Sequence, residues 1–173
     1  MDYQTKPTSR KKLRLWSKVF RSLFDLEANA PIPVLQILER VPDVFKGTTI
    51  EIFEDNKLPF DIPARCKLVK SGNFAIEIKR SIYDGAYKNI GWCRGVICHE
   101  ICHVFLYQIG FTPIWERSFE NNELPAYCSV EWQTKALCGE VMMPYEQTKN
   151  MTENEIIEKY NVSRGFAQTR QRY

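Results

Sequence analysis

The sequence predicts an α+β fold, with helices at both ends and in the middle and a small β-sheet between them. Apolar residues recur at helical spacing in the N-terminal and central segments, and the period drops to two between Thr48 and Lys79. Capping residues, glycines and prolines mark where the helices start and stop. A length of 173 residues, 44% apolar and 26% charged, suits one domain with a proper core. No apolar run reaches the roughly 18 residues of a membrane span, and no apolar stretch with a cleavage site reads as a signal peptide. The six cysteines form no C-x-x-C pair and fall mostly in apolar helix patterns. Reduced, buried thiols and a cytoplasmic location are therefore expected.

Residues 1–8 read as frayed. Thr8 or Ser9 can cap a first helix running to about Phe24, with Leu13, Trp16, Phe20 and Leu23 on its apolar stripe. A second helix, about Pro33 to Phe45, buries Leu35, Leu38 and Val41, and Pro42 is expected to bend it or end it early. These helices make an N-terminal section, residues 1–47, packed on a core of residues 48–150. Residues 1–22 carry seven Lys and Arg against Asp2, a balance of +6, within a chain of net charge +3. Such an arm could meet nucleic acid or an acidic partner, but a solvated helix face explains the same pattern and is preferred.

Thr48–Phe53, Arg65–Lys70 and Phe74–Lys79 read as strands. In the last, Phe74, Ile76 and Ile78 alternate with Ala75, Glu77 and Lys79, which predicts one buried and one solvated face. Ser71-Gly72-Asn73 makes a hairpin turn, and Tyr83-Asp84-Gly85-Ala86 reads as another turn. Residues 111–128 form a long loop whose Trp115, Phe119 and Tyr127 could cover a site. A helix follows from about Ser129 to Met143 and stops at Pro144. Thr152 and Glu155 form a capping box for a helix to Tyr160, Asn161 turns the chain, and Ser163 caps a last helix. Residues 151–173 are thus a pair of short helices.

The chemistry lies in His99-Glu100-Ile101-Cys102-His103, an H-E-x-x-H run that holds both histidines of the chain. On a helix, positions i and i+4 share a face, so two imidazoles can hold one Zn²⁺. Ile97, Ile101, Phe105 and Gln108, with Val104 beside them, form a core stripe, and Gly110 is placed to stop the helix. His99, Cys102, His103 and Leu106 form a stripe roughly opposite. Glu100 stands to one side, where its carboxylate can take a proton from a water made acidic by the ion. The plain alternative is a buried helix with two satisfied histidines. Cys102 could be a redox-sensitive thiol, although a small buried spacer is the preferred reading.

A catalytic zinc takes three protein ligands, and there is no third histidine. Downstream candidates are Glu116, Glu120, Glu123, Cys128, Glu131, Cys138, Glu140 and Glu146. A ligand on a rigid element is preferred, which favours Glu131 in the first turn of the next helix. The helix dipole would also stabilise a glutamate there without any metal. Tyr83, Tyr127 and Tyr145 are candidates to stabilise an oxyanion.

The run from Glu131 to Pro144 (E-W-Q-T-K-A-L-C-G-E-V-M-M-P) resembles the E-x-x-A-[ND]-x-F-A-A-x-L-L-M-P signature of the ImmA/IrrE family of zinc metallopeptidases. Ser81–Ala86 and Arg94–His103 resemble its V-Y-x-G-A and R-F-T-I-A-H-E-x-x-H segments, and Asn161–Arg164 with Arg170 resembles its tail. The likeness covers about residues 48–173. It implies a zincin-like metallopeptidase core in which His99, His103 and Glu131 bind Zn²⁺ and Glu100 is the general base. It also implies an extended peptide added beside Phe74–Lys79. The implied substrate is a protein or peptide, such as a transcriptional repressor of a phage or mobile element or a similar regulatory protein. The chain departs from the pattern at Gly95, Val96, Cys98 and Cys102, and at Lys135, where the family has Asn or Asp. A lysine aimed at the ion would weaken it, so the competing expectation is a non-cleaving regulatory module with a degraded or structural metal site.

Overall fold

Ser9 accepts a hydrogen bond from the Lys12 N–H at 3.2 Å and opens helix α1 (Arg10–Leu23). The computed structural model describes residues 2–69, 72–114 and 124–173. Leu13 and Phe20 of α1 are buried and Trp16 is partly buried, as their spacing predicts, but Leu23 is exposed. The helix ends at Leu23, so the chain leaves the helical line and Phe24 turns inward instead, its ring 5.0 Å from that of Phe20. Helix α2 (Val34–Val44) runs through Pro42 without ending early. Pro42 has no N–H to give the carbonyl four residues earlier, but it lies in the last turn, so little helix follows for it to bend or break.

Strand β1 (Thr48–Phe53) leads through a 3₁₀ turn at Asp55–Lys57 to β2 (Ala64–Leu68) and β3 (Phe74–Lys79). The sheet order is β1-β3-β2, with β3 parallel to β1 and antiparallel to β2. The hairpin is closed by Val69 N–H donating to Asn73 O at 2.8 Å, and Gly72 adopts φ +77°. Of the expected turn Ser71-Gly72-Asn73, Ser71 lies outside the described residues, as does Lys70 of the expected strand end. The expected alternation on β3 does not hold, because all six residues are buried. As the central strand, β3 is covered on both faces. Glu77 is held by Arg65 Nε at 2.5 Å and Lys67 Nζ at 2.7 Å, and Lys79 Nζ donates to Pro59 O and Phe60 O at 2.8 and 3.0 Å.

Helix α3 (Arg80–Tyr87) replaces the turn expected at Tyr83–Ala86, and Gly85 and Ala86 are buried in it. Cys93 of the next helix approaches Gly85 so closely that a Cβ there would lie 2.4 Å from its sulfur. The glycine thus serves packing rather than a turn. Helix α4 (Gly91–Gln108) carries the H-E-x-x-H run and contacts α2, α3 and the sheet. Phe105 closes an aromatic cluster with Phe20 and Phe45 at centroid distances of 5.4 and 6.4 Å. Gly110 stops the helix at φ +86°. Helix α5 (Val130–Met142), capped by Ser129, packs on both α1 and α4. A short α6 (Tyr145–Thr148) follows Pro144. The capping box of Thr152 and Glu155 opens α7 (Glu153–Tyr160), Asn161 turns at φ +51°, and Ser163 caps α8 (Arg164–Arg172). No described helix is long and apolar enough to cross a membrane.

The basic N-terminal helix is not simply a solvated face. Glu140 of α5 is buried, and Arg170 meets it at 2.7 Å, Arg14 at 3.3 Å and Arg10 at 3.6 Å. A buried carboxylate needs such partners, and they fix the register of α1 and α8 on α5. Lys11, Lys12 and Lys18 remain in solvent.

Gly91 lies against the α7–α8 turn, where an added Cβ would sit 2.4 Å from the Val162 carbonyl carbon. Gly91→Ala is expected to lower the unfolding free energy by about 1–3 kcal/mol, read as a lower urea midpoint. Burial alone would raise the Glu77 pKa, but hydrogen bonds and charge from Lys67 and Arg65 outweigh it and lower it from 4.5. A depressed native pKa gives stability that is present above the unfolded value and lost as pH falls through the native one. Relative to Glu77→Gln, the wild type should therefore hold an advantage of about 1 kcal/mol at pH 6–7 that shrinks below about pH 4.5. Urea titrations of both proteins across that range check it.

Candidate metal centre

Helix α4 buries most of its circumference, leaving His99 and His103 partly exposed on the floor of a cleft of about 640 Å³. The imidazoles meet edge to face, with ring centroids 4.7 Å apart and Nε2 atoms 3.1 Å apart. Glu131, in the first turn of α5, places Oε2 3.4 Å from His99 Nε2 and Oε1 3.3 Å from His103 Nε2. A tetrahedral ion with bonds of about 2.0–2.1 Å spaces its donors about 3.3–3.4 Å apart, so these three side chains fit one divalent ion. The histidines, by hydrogen bonding and charge, hold the Glu131 carboxyl well below the usual carboxylate range. It is ionised, as a ligand must be.

The site is supported from behind. Thr134 donates its hydroxyl proton to Val130 O at 2.8 Å, and its Oγ1 lies 3.2 Å from His103 Nδ1. With that proton committed, Thr134 accepts from His103 Nδ1–H, which leaves Nε2 to meet an ion. Asp2 fixes the start of α5: its Oδ1 accepts from the Glu131 N–H at 3.1 Å and its Oδ2 accepts from the Ser129 hydroxyl at 2.5 Å. The N-terminal segment is therefore bound rather than frayed. Thr5 N–H donates to Cys128 O at 2.8 Å, Val130 N–H donates to Tyr3 O at 2.9 Å, and Thr5 and Thr8 are buried.

Glu100 is buried and lines the same cleft. Burial, with the nearby Glu131 charge, raises its carboxyl to about 7, against the opposing pull of His99 and of a hydrogen bond from the Cys66 backbone. Such a group can both take and return a proton near neutrality.

The other third-ligand candidates lie elsewhere. Glu140 is committed to its arginines, Glu146 pairs with Lys149 at 2.8 Å, and Cys128 sits in the 3₁₀ turn Ala126–Cys128. Cys138 joins Cys98 and Cys102. Glu116, Glu120 and Glu123 lie outside the described residues, as do Trp115 and Phe119 of the expected cover. Tyr127 is exposed, and Tyr145 stacks under Arg14 with the guanidinium carbon 3.6 Å from the ring centroid. Neither of these, nor Tyr83, lines the cleft, whose tyrosines are Tyr3 and Tyr107.

Three expectations change. β3 cannot accept an added strand, since both its edges are paired, and the strand bordering the cleft is the edge strand β2. Cys102 is the buried small residue that was preferred, but it turns toward α5 and away from the histidine stripe on which its spacing placed it. Lys135 is exposed and lines a second cavity beside Glu131, so the polar partner of His103 is Thr134, one residue earlier. Its position three residues after Glu131 was the available sequence signal. Asp2 and the β2 edge gave none.

No family model and no curated protein matches the chain.

Replacing the Thr134 hydroxyl by a methyl group frees the His103 ring. Thr134→Val is expected to weaken Zn²⁺ binding by about 10- to 100-fold in a chelator competition titration, with little change in urea midpoint.

Proposed function

We propose that this protein is a zinc-dependent endopeptidase of narrow specificity with a zincin-like core, related to the ImmA/IrrE metallopeptidases that its motifs resemble. One observation carries the reading: His99 Nε2, His103 Nε2 and the Glu131 carboxylate converge at tetrahedral donor spacing in an open cleft. A structural zinc site would be closed by a fourth protein ligand, and among the described residues no fourth His, Cys, Asp or Glu joins these three.

In this reading an ion held by the three ligands supplies Lewis acidity, which polarises a peptide carbonyl and acidifies water. The Glu100 carboxylate takes a proton from the attacking water and returns it to the leaving amine. Its burial suits the task, because a carboxyl near 7 releases the proton as readily as it accepts it. Thr134 holds His103 in the required tautomer, and Asp2 holds the turn that bears Glu131. The edge of β2 offers main-chain hydrogen bonds to an extended peptide, and Arg65 and Lys67, which share the single carboxylate of Glu77, leave one positive charge on that strand. Narrow specificity and a regulatory substrate, such as a transcriptional repressor, follow from the family resemblance alone.

Elemental analysis of untagged wild type beside Glu131→Ala comes first. About one zinc per chain is expected, falling sharply in the variant. A wild type that takes up no zinc when supplied with it would overturn the reading and leave a non-cleaving binding module. Glu100→Ala is expected to keep its zinc and to lose at least about 100-fold in cleavage of a substrate repressor. Normal cleavage by that variant would remove Glu100 from the mechanism.

A further inference from the structure

Helices α4 and α5 meet at a second set of possible ligands, buried behind the first. Cys98 and Cys102 on α4 and Cys138 on α5 place their three sulfurs within 4.8 Å of one another. All three side chains are buried, and all six cysteines of the chain are free thiols. A single buried cysteine is a small apolar residue and needs no further account. Packing alone, however, asks for three small side chains and gives no reason for their sulfurs to converge on one point.

The surrounding charge gives an independent reason. Arg94 stands one turn before Cys98, and Arg21 reaches in from α1; both are buried. Arg94 donates to Ile32 O at 2.8 Å, Asn161 O at 3.2 Å and Asn89 Oδ1 at 3.3 Å. Arg21 donates to Val141 O at 2.8 Å, Ala30 O at 2.6 Å and Glu27 O. Every one of these acceptors is uncharged. Among the described residues neither guanidinium has a carboxylate partner, and buried cations so placed favour anionic groups near them. Of the three cysteines, Cys138 lines a cavity of about 670 Å³ that also borders Trp92, Phe166 and the first site's His99 and Glu131.

We propose that Cys98, Cys102 and Cys138 bind one soft, thiophilic metal ion, Cu(I), in trigonal thiolate coordination. Metal–sulfur bonds of about 2.3 Å in a trigonal plane separate the sulfurs by about 4.0 Å, a distance the cluster spans. Thiolate donors select Cu(I), and a three-donor set does not complete the tetrahedron that zinc prefers. On binding, each thiol releases its proton to solvent. Three thiolates and one monovalent cation carry a net charge of −2, which Arg21 and Arg94 balance. The ion would tie α4 to α5 across the interface that spaces His99 and His103 from Glu131. The inference does not depend on the peptidase reading.

The test loads the reduced, full-length protein with Cu(I), added anaerobically as its acetonitrile complex against a chromophoric chelator. One copper per chain is expected, with three sulfur neighbours at about 2.2–2.3 Å by X-ray absorption. The same result is expected for Glu131→Ala, and for a chain in which Cys66, Cys93 and Cys128 are serine. Cys138→Ser and Cys102→Ser should each lower the affinity by about 100-fold or more. The proposal is overturned if the wild type yields its copper to the chelator, or if Cys138→Ser retains copper as well as the wild type does. It is equally overturned if the neighbours are nitrogen and oxygen and binding is lost in Glu131→Ala. The wild-type spectrum decides the matter even where a cysteine variant fails to fold.

Discussion

The close approach of α4 to α5 is the constraint on which the rest of the structure depends. A carboxylate on one helix has to stand about 3.3 Å from imidazoles on another, and that distance follows from how near the two helix backbones come. Small residues permit the approach. The Cys138 sulfur lies 3.7 Å from the Gly95 carbonyl oxygen, with Cys98 and Cys102 beside it. Gly95 is bare because Phe166 of α8 occupies its space: an added Cβ would sit 2.8 Å from the end of that ring. The bare position 95 is thus matched by a ring on the last helix, and α8 takes part in spacing the candidate ligands.

Charge inside the core does the complementary work of setting register. Apolar faces slide at little cost, whereas a buried carboxylate or guanidinium is satisfied in few positions. Glu140 draws arginines from α1 and α8 onto α5. Arg94 holds the start of α4 against the segment before α2 and against the turn between α7 and α8. Asp2 belongs to the same scheme at the cleft, where it satisfies an orphan donor in the first turn of α5 and holds the segment before α1 beside Glu131. Residues far apart in sequence are thus fastened to the two helices that carry the candidate site.

The sheet supplies the wall of the cleft. Because β3 lies between β1 and β2, its polar residues are drawn inward and met by Arg65, Lys67 and the carbonyls of the 59–60 turn. β2 is left as the strand that borders the cleft, and its backbone at Cys66 reaches Glu100. The wall and the candidate base are therefore in direct contact, which couples the shape of the cleft to the protonation of Glu100.

Local rules determined much of this protein. The spacing of His99, Glu100 and His103 on a helix, the stop at Gly110, the helix start near Ser129, the capping box at Thr152 and the turn at Asn161 were legible because each depends on neighbours within a turn or two. The same logic placed Glu131 among eight candidates and favoured it as a ligand in the first turn of a helix. Only the tertiary structure brought Glu131 to the histidines and sent Glu140 to its arginines and Cys138 to Cys98 and Cys102. It also made Tyr83–Ala86 a helix, because Gly85 is the residue that can lie against Cys93. The strand order, the role of Asp2 and the choice of Thr134 over Lys135 were settled by contacts between distant segments. Periodicity says which face of an element is buried, but the partner it meets there is set by the packing of the whole chain.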